Sequence, residues 1–224
     1  MPDQSLQSPT IDGLHNVIVK KPLYFTQTFG KSESNDQFIN ELGLEGHREG
    51  GYFKETDRSP FLLENPFHKD DNKPIKPIND NQQLAKDKYR NYSTLIYYLL
   101  TPEIPYGRFH KNNNRIIHIL QKGRGQYVLI YPDGSVKSFI VGFNHSKGEV
   151  SQWVVPGGVY KASFLLPLNE STGESKDDHL LISEVVVPGF EYDDHEFLEG
   201  VDTLAGMVGE SKAKELSFLL HESN

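Results

Sequence analysis

Runs of apolar residues between about residues 93 and 187 predict a series of short β-strands. Residues 93–100 are almost all β-branched, aromatic or leucine, and the run stops at Thr101-Pro102, as expected of a buried strand. Short strands with glycine and proline at their corners predict an antiparallel sandwich or barrel. Six further runs of this kind occupy residues 116–120, 126–131, 136–141, 150–155, 159–166 and 180–187.

Both ends of the chain have helical patterns instead. Residues 34–37 fit a capping box, with Ser34 as the cap, and the apolar positions after them form one face of a short helix that ends at Gly43. Gly50-Gly51 then opens a predicted strand at residues 52–56. We therefore expect an all-β domain with short flanking helices at both ends. The apolar positions at helical spacing near the C-terminus are Val201, Leu204, Ala205, Val208, Leu216, Leu219 and Leu220.

Two polar segments stand outside this pattern. Residues 1–13 are predicted to be a flexible N-terminal tail. Between residues 59 and 88 four prolines lie among asparagine, aspartate and lysine, which predicts a polar surface insertion. The expected organisation is one domain over residues 14–224 that carries this insertion.

Composition excludes several function classes. The formal net charge of −8, with no long basic run, argues against a nucleic-acid partner. The absence of cysteine excludes disulfides and thiolate metal sites. No apolar stretch is long enough for a membrane span, and the N-terminus does not read as a secretory signal. We expect a protein without a membrane partner, located in the cytoplasm, with the nucleus left open as a second compartment.

The candidate chemistry begins at His110, at the predicted end of a strand. A His-x-His pair followed by a carboxylate would predict a metal site, because such side chains converge inside a barrel. Here Asn112 occupies the second position and no acid follows at residues 114–116, so we expect neither a metal nor another cofactor. His118 shares a strand face with Ile116 and Leu120 and should point inward, either as a core histidine or as a pocket donor.

Two further positions have both a structural and a functional interpretation. Lys161 follows the sharp turn at residues 156–158, where it is either a solvated surface residue or a partner for an anionic ligand. Tyr52 and Glu55 either edge a charged turn or wall one side of the pocket. Motifs for a P-loop, a dinucleotide-binding turn and a nucleophile elbow are absent from the sequence.

The segments around His110 and Lys161 together resemble the two motifs of the cupin superfamily. His110 falls at the first histidine of the first motif, Asn112 at its second histidine and Ile116 at its glutamate. Pro156-Gly157-Gly158 matches the Pro-x-Gly of the second motif, and Lys161 stands at the histidine of that motif. The resemblance implies a double-stranded β-helix, or jelly-roll barrel, in which most metal-ligand positions carry other residues.

Two narrower likenesses add expectations. Over about residues 40–200 the chain looks like cupins classed as a domain of unknown function, which implies a homodimer and no established substrate. Residues 51–55 look like the Arg-Gly-x-Phe-x-Glu strand of nucleotide-sugar 3,5-epimerases, cofactor-free cupins that use a histidine base and a tyrosine acid. Gly51, Phe53 and Glu55 match this strand, but Gly50 stands at the arginine position.

Three functions remain open at this point. The first is metal-independent binding of a small polar, sugar-like or anionic ligand in the barrel. The second is a cofactor-free sugar or nucleotide-sugar epimerase or isomerase, and the third is a non-catalytic dimeric module. The candidate catalytic residues are His110 and His118. The candidate ligand-binding residues are Tyr52, Glu55, Arg108, Asn112, Tyr127 and Lys161.

Overall fold

A computed structural model of the chain describes residues 6–67 and 88–221. The strands that it contains are β1 (Glu45–Gly46), β2 (Tyr52–Arg58), β3 (Leu62–Glu64), β4 (Tyr89–Asn91), β5 (Thr94–Leu100), β6 (Tyr106–Asn112), β7 (Arg115–Gly123), β8 (Gly125–Ile130), β9 (Val136–Val141), β10 (Gln152–Val155), β11 (Tyr160–Leu165), β12 (Leu180–Val187) and β13 (His195–Phe197). The α-helices are α1 (Pro9–Asp12), α2 (Glu33–Glu41), α3 (Val201–Val208) and α4 (Glu210–Leu216). Single 3₁₀ turns occupy Leu23–Phe25, His145–Lys147, Tyr192–Asp194 and Ser217–Leu219.

Two antiparallel sheets form the body of the molecule. The six-stranded sheet has the order β1-β2-β5-β12-β7-β10, and the five-stranded sheet has the order β13-β6-β11-β8-β9. Strands β3 and β4 pair separately as a small hairpin. The predicted all-β architecture with helices near both ends is confirmed. No helix among residues 6–67 and 88–221 is long and apolar enough to cross a membrane.

Side-chain alternation explains why both faces of the sheets are covered. In β8 every residue is buried, because Tyr127 and Leu129 point between the sheets while Val128 and Ile130 point to the opposite face. The face between the sheets packs on Trp153 and its neighbours. The opposite face of the five-stranded sheet is covered by α3, α4 and the turn after them. Helix α2 covers the outer face of the six-stranded sheet around Leu99.

The structure corrects three details of the sequence interpretation. Helix α2 starts at Glu33, and Ser32 rather than Ser34 caps it by accepting a hydrogen bond from the backbone N–H of Asn35. Part of the expected tail is packed, because Ile11 in α1 is fully buried in the main core. Within the insertion predicted at 59–88, β3 pairs with β4, and the remaining residues 68–87 lie outside the described residues.

One loop joins the two sheets at the open end of the barrel. The backbone N–H of Arg108 in β6 donates to the carbonyl oxygen of Glu49, 2.7 Å away, and the hydroxyl of Tyr98 in β5 donates to the carbonyl of Gly50 at 2.9 Å. Gly50 has a φ of 106°, in the region that favours glycine. A Cβ added there would overlap the carbonyl oxygen of Tyr106. The sheets approach so closely at this point that only a glycine fits.

We predict that Gly50→Ala destabilises the protein more than Gly173→Ala. Gly173 also has a positive φ, of 75°, but nothing lies within 4 Å of a Cβ placed on it. The control therefore carries only the backbone strain, about 1–2 kcal/mol, whereas Gly50→Ala adds a clash with the other sheet. Urea denaturation measures both free energies of unfolding, and equal losses would contradict the close approach.

Candidate functional site

A cavity of about 270 Å³ opens at the end of the barrel where this loop lies. Its deep wall is polar and its sides are largely apolar, as is typical of small-molecule sites. The polar groups of the deep wall come from the loop before β2 and from strands β5, β6, β11 and β12, so both sheets contribute to it. The residues that line the cavity are His47, Glu49, Phe53, Glu55, Arg58, Ile96, Tyr98, His110, Asn112, Ile116, Lys161, Glu184, Val186, Phe190, Glu191 and Tyr192.

Glu49 is the centre of a first polar cluster on this wall. One of its carboxylate oxygens lies 2.8 Å from Nε2 of His195, and the other lies 3.2 Å from Nε2 of His110. Burial raises the pKa of Glu49, but the hydrogen bond from His195 outweighs it and holds that pKa below its ordinary value. Burial lowers the pKa of His110 to about 3, so this ring is neutral and Glu49 is ionised at neutral pH.

Lys161 and Glu184 form a second cluster next to the first. The ammonium of Lys161 lies 2.9 Å from a carboxylate oxygen of Glu184 and 3.1 Å from Nε2 of His118. Because an ammonium only donates, Nε2 of His118 must accept. Burial raises the pKa of Glu184, but the neighbouring ammonium of Lys161 outweighs it and holds that pKa well below its ordinary range. The His118 ring stacks on Trp153 with 4.9 Å between centroids, which closes the barrel behind this cluster.

Strand register brings these residues together. Lys161 in β11 stands opposite His110 in β6, and Glu184 in β12 stands opposite His118 in β7. Residues opposite each other in antiparallel strands have neighbouring side chains. A smaller space of about 10 Å³ lies behind the two clusters, between Tyr98 and Tyr127, which is room for about one water molecule.

The mouth of the cavity carries a separate ion-pair group. The guanidinium of Arg58 donates to both carboxylate oxygens of Glu55 at 2.9 Å and to Glu191 at 2.9 Å. All three side chains are partly exposed. The positive charge of Arg58 is therefore already matched before any ligand arrives.

Six of the eight predicted site residues lie in or near the cavity. His110, Asn112, Glu55 and Lys161 line the main cavity. Tyr127 lines only the small space behind it. His118 points inward as predicted, but it contacts Lys161 from behind and is not part of the cavity wall.

Arg108 and Tyr52 lie away from the cavity for reasons of strand geometry. A register shift between β6 and β11 places an extra residue of β6 between Gly107 and His110. Such a bulge reverses the alternation, so Arg108 points outward, over the ring of Tyr106 and onto the carbonyl of Phe218. Tyr52 is on the face of β2 opposite Phe53 and Glu55, and its hydroxyl lies 3.3 Å from Glu103.

Four residues of the site were not among the candidates from the sequence. Glu184 had a visible signal, a single acid inside the apolar run 180–187. Glu49 and His47 were read as parts of a turn. His195 had no local signal, because it reaches Glu49 only through the pairing of β13 with β6, where it stands opposite Asn112. Asp194, the residue directly before His195, forms a buried ion pair with Arg90, with 3.2 Å between Oδ2 and Nε.

Comparison with known proteins places the chain in a group without an assigned activity. Residues 36–198 match the protein family described as Cupin superfamily (DUF985). The chain is 60% identical to the uncharacterized protein YML079W of Saccharomyces cerevisiae over 186 residues, which cover 83% of this chain and 86% of the yeast protein.

Two solved structures are similar to it in fold. A hypothetical protein from Leishmania major superposes with a TM-score of 0.65 at 24% identity, over 84% of this chain and 98% of its own. Protein SO0799 from Shewanella oneidensis gives a TM-score of 0.62 at 23% identity, over 86% of this chain and 100% of its own. These comparisons, together with the family match, confirm the predicted double-stranded β-helix.

We predict that His118 makes the folded state sensitive to mild acid. Burial lowers the pKa of His118 from its ordinary 6.5, so the folded protein keeps this ring neutral while the unfolded chain protonates it. Its contribution to stability is complete above pH 6.5 and is lost as the pH falls, by at most about 1.4 kcal/mol per pH unit.

His118→Phe keeps a ring against Trp153 but cannot titrate. We expect the parent to lose more free energy of unfolding than this variant between about pH 7 and pH 5, the range in which histidine titrates. Urea denaturation at both pH values measures the difference. Parallel pH profiles would show that His118 is not the titrating group.

Proposed function

The chain belongs to the DUF985 family of the cupin superfamily, and from that premise we propose that it binds a small, hydroxyl-rich ligand inside its barrel. The observation that carries the proposal is the composition of the cavity wall. Oδ1 of Asn112 is buried there and has no hydrogen-bond partner among the described residues. A buried acceptor of this kind costs free energy unless a donor reaches it, so we infer that the amide of Asn112 turns toward the cavity when a hydroxyl-rich ligand binds.

The charges of the wall also favour a ligand that donates hydrogen bonds. The two permanent cations, Arg58 and Lys161, are already paired with carboxylates at 2.9 Å. Among the described residues, the carboxylate of Glu49 has only histidines as ion-pair partners. The wall therefore offers more acceptors than free donors. A sugar-like polyol matches this pattern better than an anion, which would have to displace Glu184 from Lys161.

The cavity volume limits the size of the ligand. At about 270 Å³ it falls just below the range of about 300–1,000 Å³ typical of drug-sized ligands. The apolar sides, with Phe53, Ile96 and Phe190, can pack against the ring face of a sugar. A single sugar ring fits this description, and a complete nucleotide-sugar would extend past the mouth at Tyr192.

A cofactor-free epimerase is the second candidate, and the ionisation of its expected groups disfavours it. A general base works best with a pKa near the working pH, but burial lowers that of His110 to about 3. Burial also raises the pKa of Tyr98 well above 10.0, and its hydroxyl already donates to the carbonyl of Gly50. Tyr98 is therefore a weak proton donor to a ligand in the cavity. Tyr192 at the mouth is the remaining tyrosine on the cavity wall.

We predict that a member of a panel of monosaccharides, polyols and sugar acids raises the melting temperature of the full chain. A ligand that binds only the folded state must stabilise it. The screen uses metal-free protein in the presence of a chelator, so that its outcome reflects the contacts of the protein alone.

Asn112→Leu should then weaken binding of the confirmed ligand by roughly 2–10-fold, the loss of about one hydrogen bond. Asn113→Leu makes the same change at an exposed neighbour and should bind as the parent does. Equal affinity of both variants would remove the cavity from the proposal. Exchange of a sugar C–H for deuterium in D₂O, catalysed by the parent, would instead support the epimerase.

We also propose that the protein is a homodimer. If no ligand binds, the third function, a non-catalytic dimeric module, becomes the favoured one. Phe61, Leu62 and Tyr92 are exposed at the β3–β4 hairpin, and the rings of Phe61 and Tyr92 lie 6.1 Å apart. Contiguous apolar side chains of this kind beside short strands favour a partner surface. The cupin relatives described by the sequence resemblance point to a second copy as that partner.

Light scattering should report twice the 25.5 kDa of one chain. Phe61→Lys should shift the protein toward the monomer, because it places a charge in the apolar patch. Ile18→Lys is the control, since Ile18 is 73% exposed away from the hairpin. A monomeric parent at micromolar concentration would refute the dimer.

A further inference from the structure

We propose that Glu49, His110 and His195 form a binding site for one divalent transition-metal ion. Their ligand atoms, one carboxylate oxygen and two imidazole nitrogens, all lie within 4.8 Å of one another. Glu49 and His110 are buried, and the side chain of His195 is only 2% exposed. The three residues come from the loop before β2, from β6 and from β13, so the fold rather than a local motif assembles them.

The hydrogen bonding of His110 points its Nε2 into this cluster. Nδ1 of His110 lies 2.7 Å from the carbonyl oxygen of Arg108. Since a carbonyl only accepts, Nδ1 must carry a proton, and Nε2 is therefore the ring atom that faces the cluster. That Nε2 is buried, lies 3.2 Å from a carboxylate oxygen of Glu49, and has no hydrogen-bond partner among the described residues.

A carboxylate oxygen and a buried imidazole nitrogen that face each other at 3.2 Å are placed to hold a positive ion between or beside them. A metal ion bound by both satisfies this contact, and the bond from His110 to a backbone carbonyl is the outer-shell arrangement typical of metal-binding histidines. His195 lies close enough to be the third ligand, because its Nε2 is 2.8 Å from a carboxylate oxygen of Glu49. Binding through that nitrogen requires its proton to move to Nδ1 or to solvent.

This donor set is different from the two cupin motifs. Of the motif positions, only His110 contributes a ligand, whereas Asn112, Ile116 and Lys161 do not fit a metal. The ammonium of Lys161 is held by Glu184 at 2.9 Å rather than by Glu49. The sequence analysis predicted no metal, from the residues at the motif positions. The proposed site departs from that prediction, because Glu49 and His195 lie outside both motifs.

The chemistry of the donors selects the class of ion. Two imidazoles and one carboxylate suit Zn²⁺ and Fe²⁺, and three protein ligands leave at least one coordination position open. Because Glu49 and His110 line the main cavity, the site adjoins that cavity. The ion would present a Lewis-acidic position to a molecule in the cavity, in addition to the hydrogen-bond acceptors described above.

The test is a titration of the full-length, untagged, metal-free protein with ZnCl₂ alone, followed by calorimetry and elemental analysis. We expect one Zn²⁺ per chain. His195→Gln and Glu49→Gln should each weaken binding by at least about 10–100-fold, since loss of even an outer-shell partner costs this much. His221→Gln is the matched control: His221 also contacts a carboxylate, that of Glu199 at 3.2 Å, but outside the cluster.

A second readout does not depend on the stability of the variants. In long-range ¹H–¹⁵N spectra of the parent, Zn²⁺ should shift the ring signals of His110 and His195 and leave those of His221 unchanged. A parent that takes up no stoichiometric Zn²⁺ overturns the proposal, as does uptake that leaves the rings of His110 and His195 unshifted or that both site variants retain. None of these outcomes bears on the ligand screen, which is run with a chelator.

Discussion

The burial of two carboxylates at one end of the barrel is the constraint on which the rest of the site depends. An unpaired buried carboxylate costs several kcal/mol, an amount comparable to the whole stability of a domain. Each acid is therefore surrounded by partners, the ammonium of Lys161 for Glu184 and three histidines for Glu49. The partners come from both sheets. The two carboxylates are therefore compensated only when the sheets are packed in this relative position.

The charges of the two acids are compensated in different ways, and this difference determines which ligands the cavity wall can attract. Glu184 has a permanent cation and forms a closed, nearly neutral group with Lys161 and His118. Glu49 faces histidines, of which His110 is kept neutral by burial, so its negative charge is only partly balanced. The half of the wall around Glu184 is thus nearly neutral, while the half around Glu49 keeps a negative charge that attracts hydrogen-bond donors or a cation. Both the proposed polyol and the proposed metal ion use this second half.

Lys161 shows how one substitution changes a cupin barrel. It stands where the second motif has a histidine, and its ammonium supplies a fixed positive charge inside the barrel. That charge requires a counterion, which Glu184 provides from the opposing sheet. The replacement of the motif histidine and the presence of a buried Lys–Glu pair are therefore two aspects of the same change. The proposed metal position uses Glu49 and His110 rather than Lys161.

The sequence by itself determined the fold and part of the site. Strands 136–141 and 180–187 were predicted with their observed bounds, because apolar alternation and glycine or proline corners are local signals. His110, Asn112 and Lys161 were located from motif positions for the same reason. Tertiary structure alone decided the remainder. The bulge in β6 turned Arg108 outward, and the pairing of β13 with β6 brought His195 to Glu49. Contacts between residues 146 positions apart depend on register and sheet packing, which no local pattern of residues encodes.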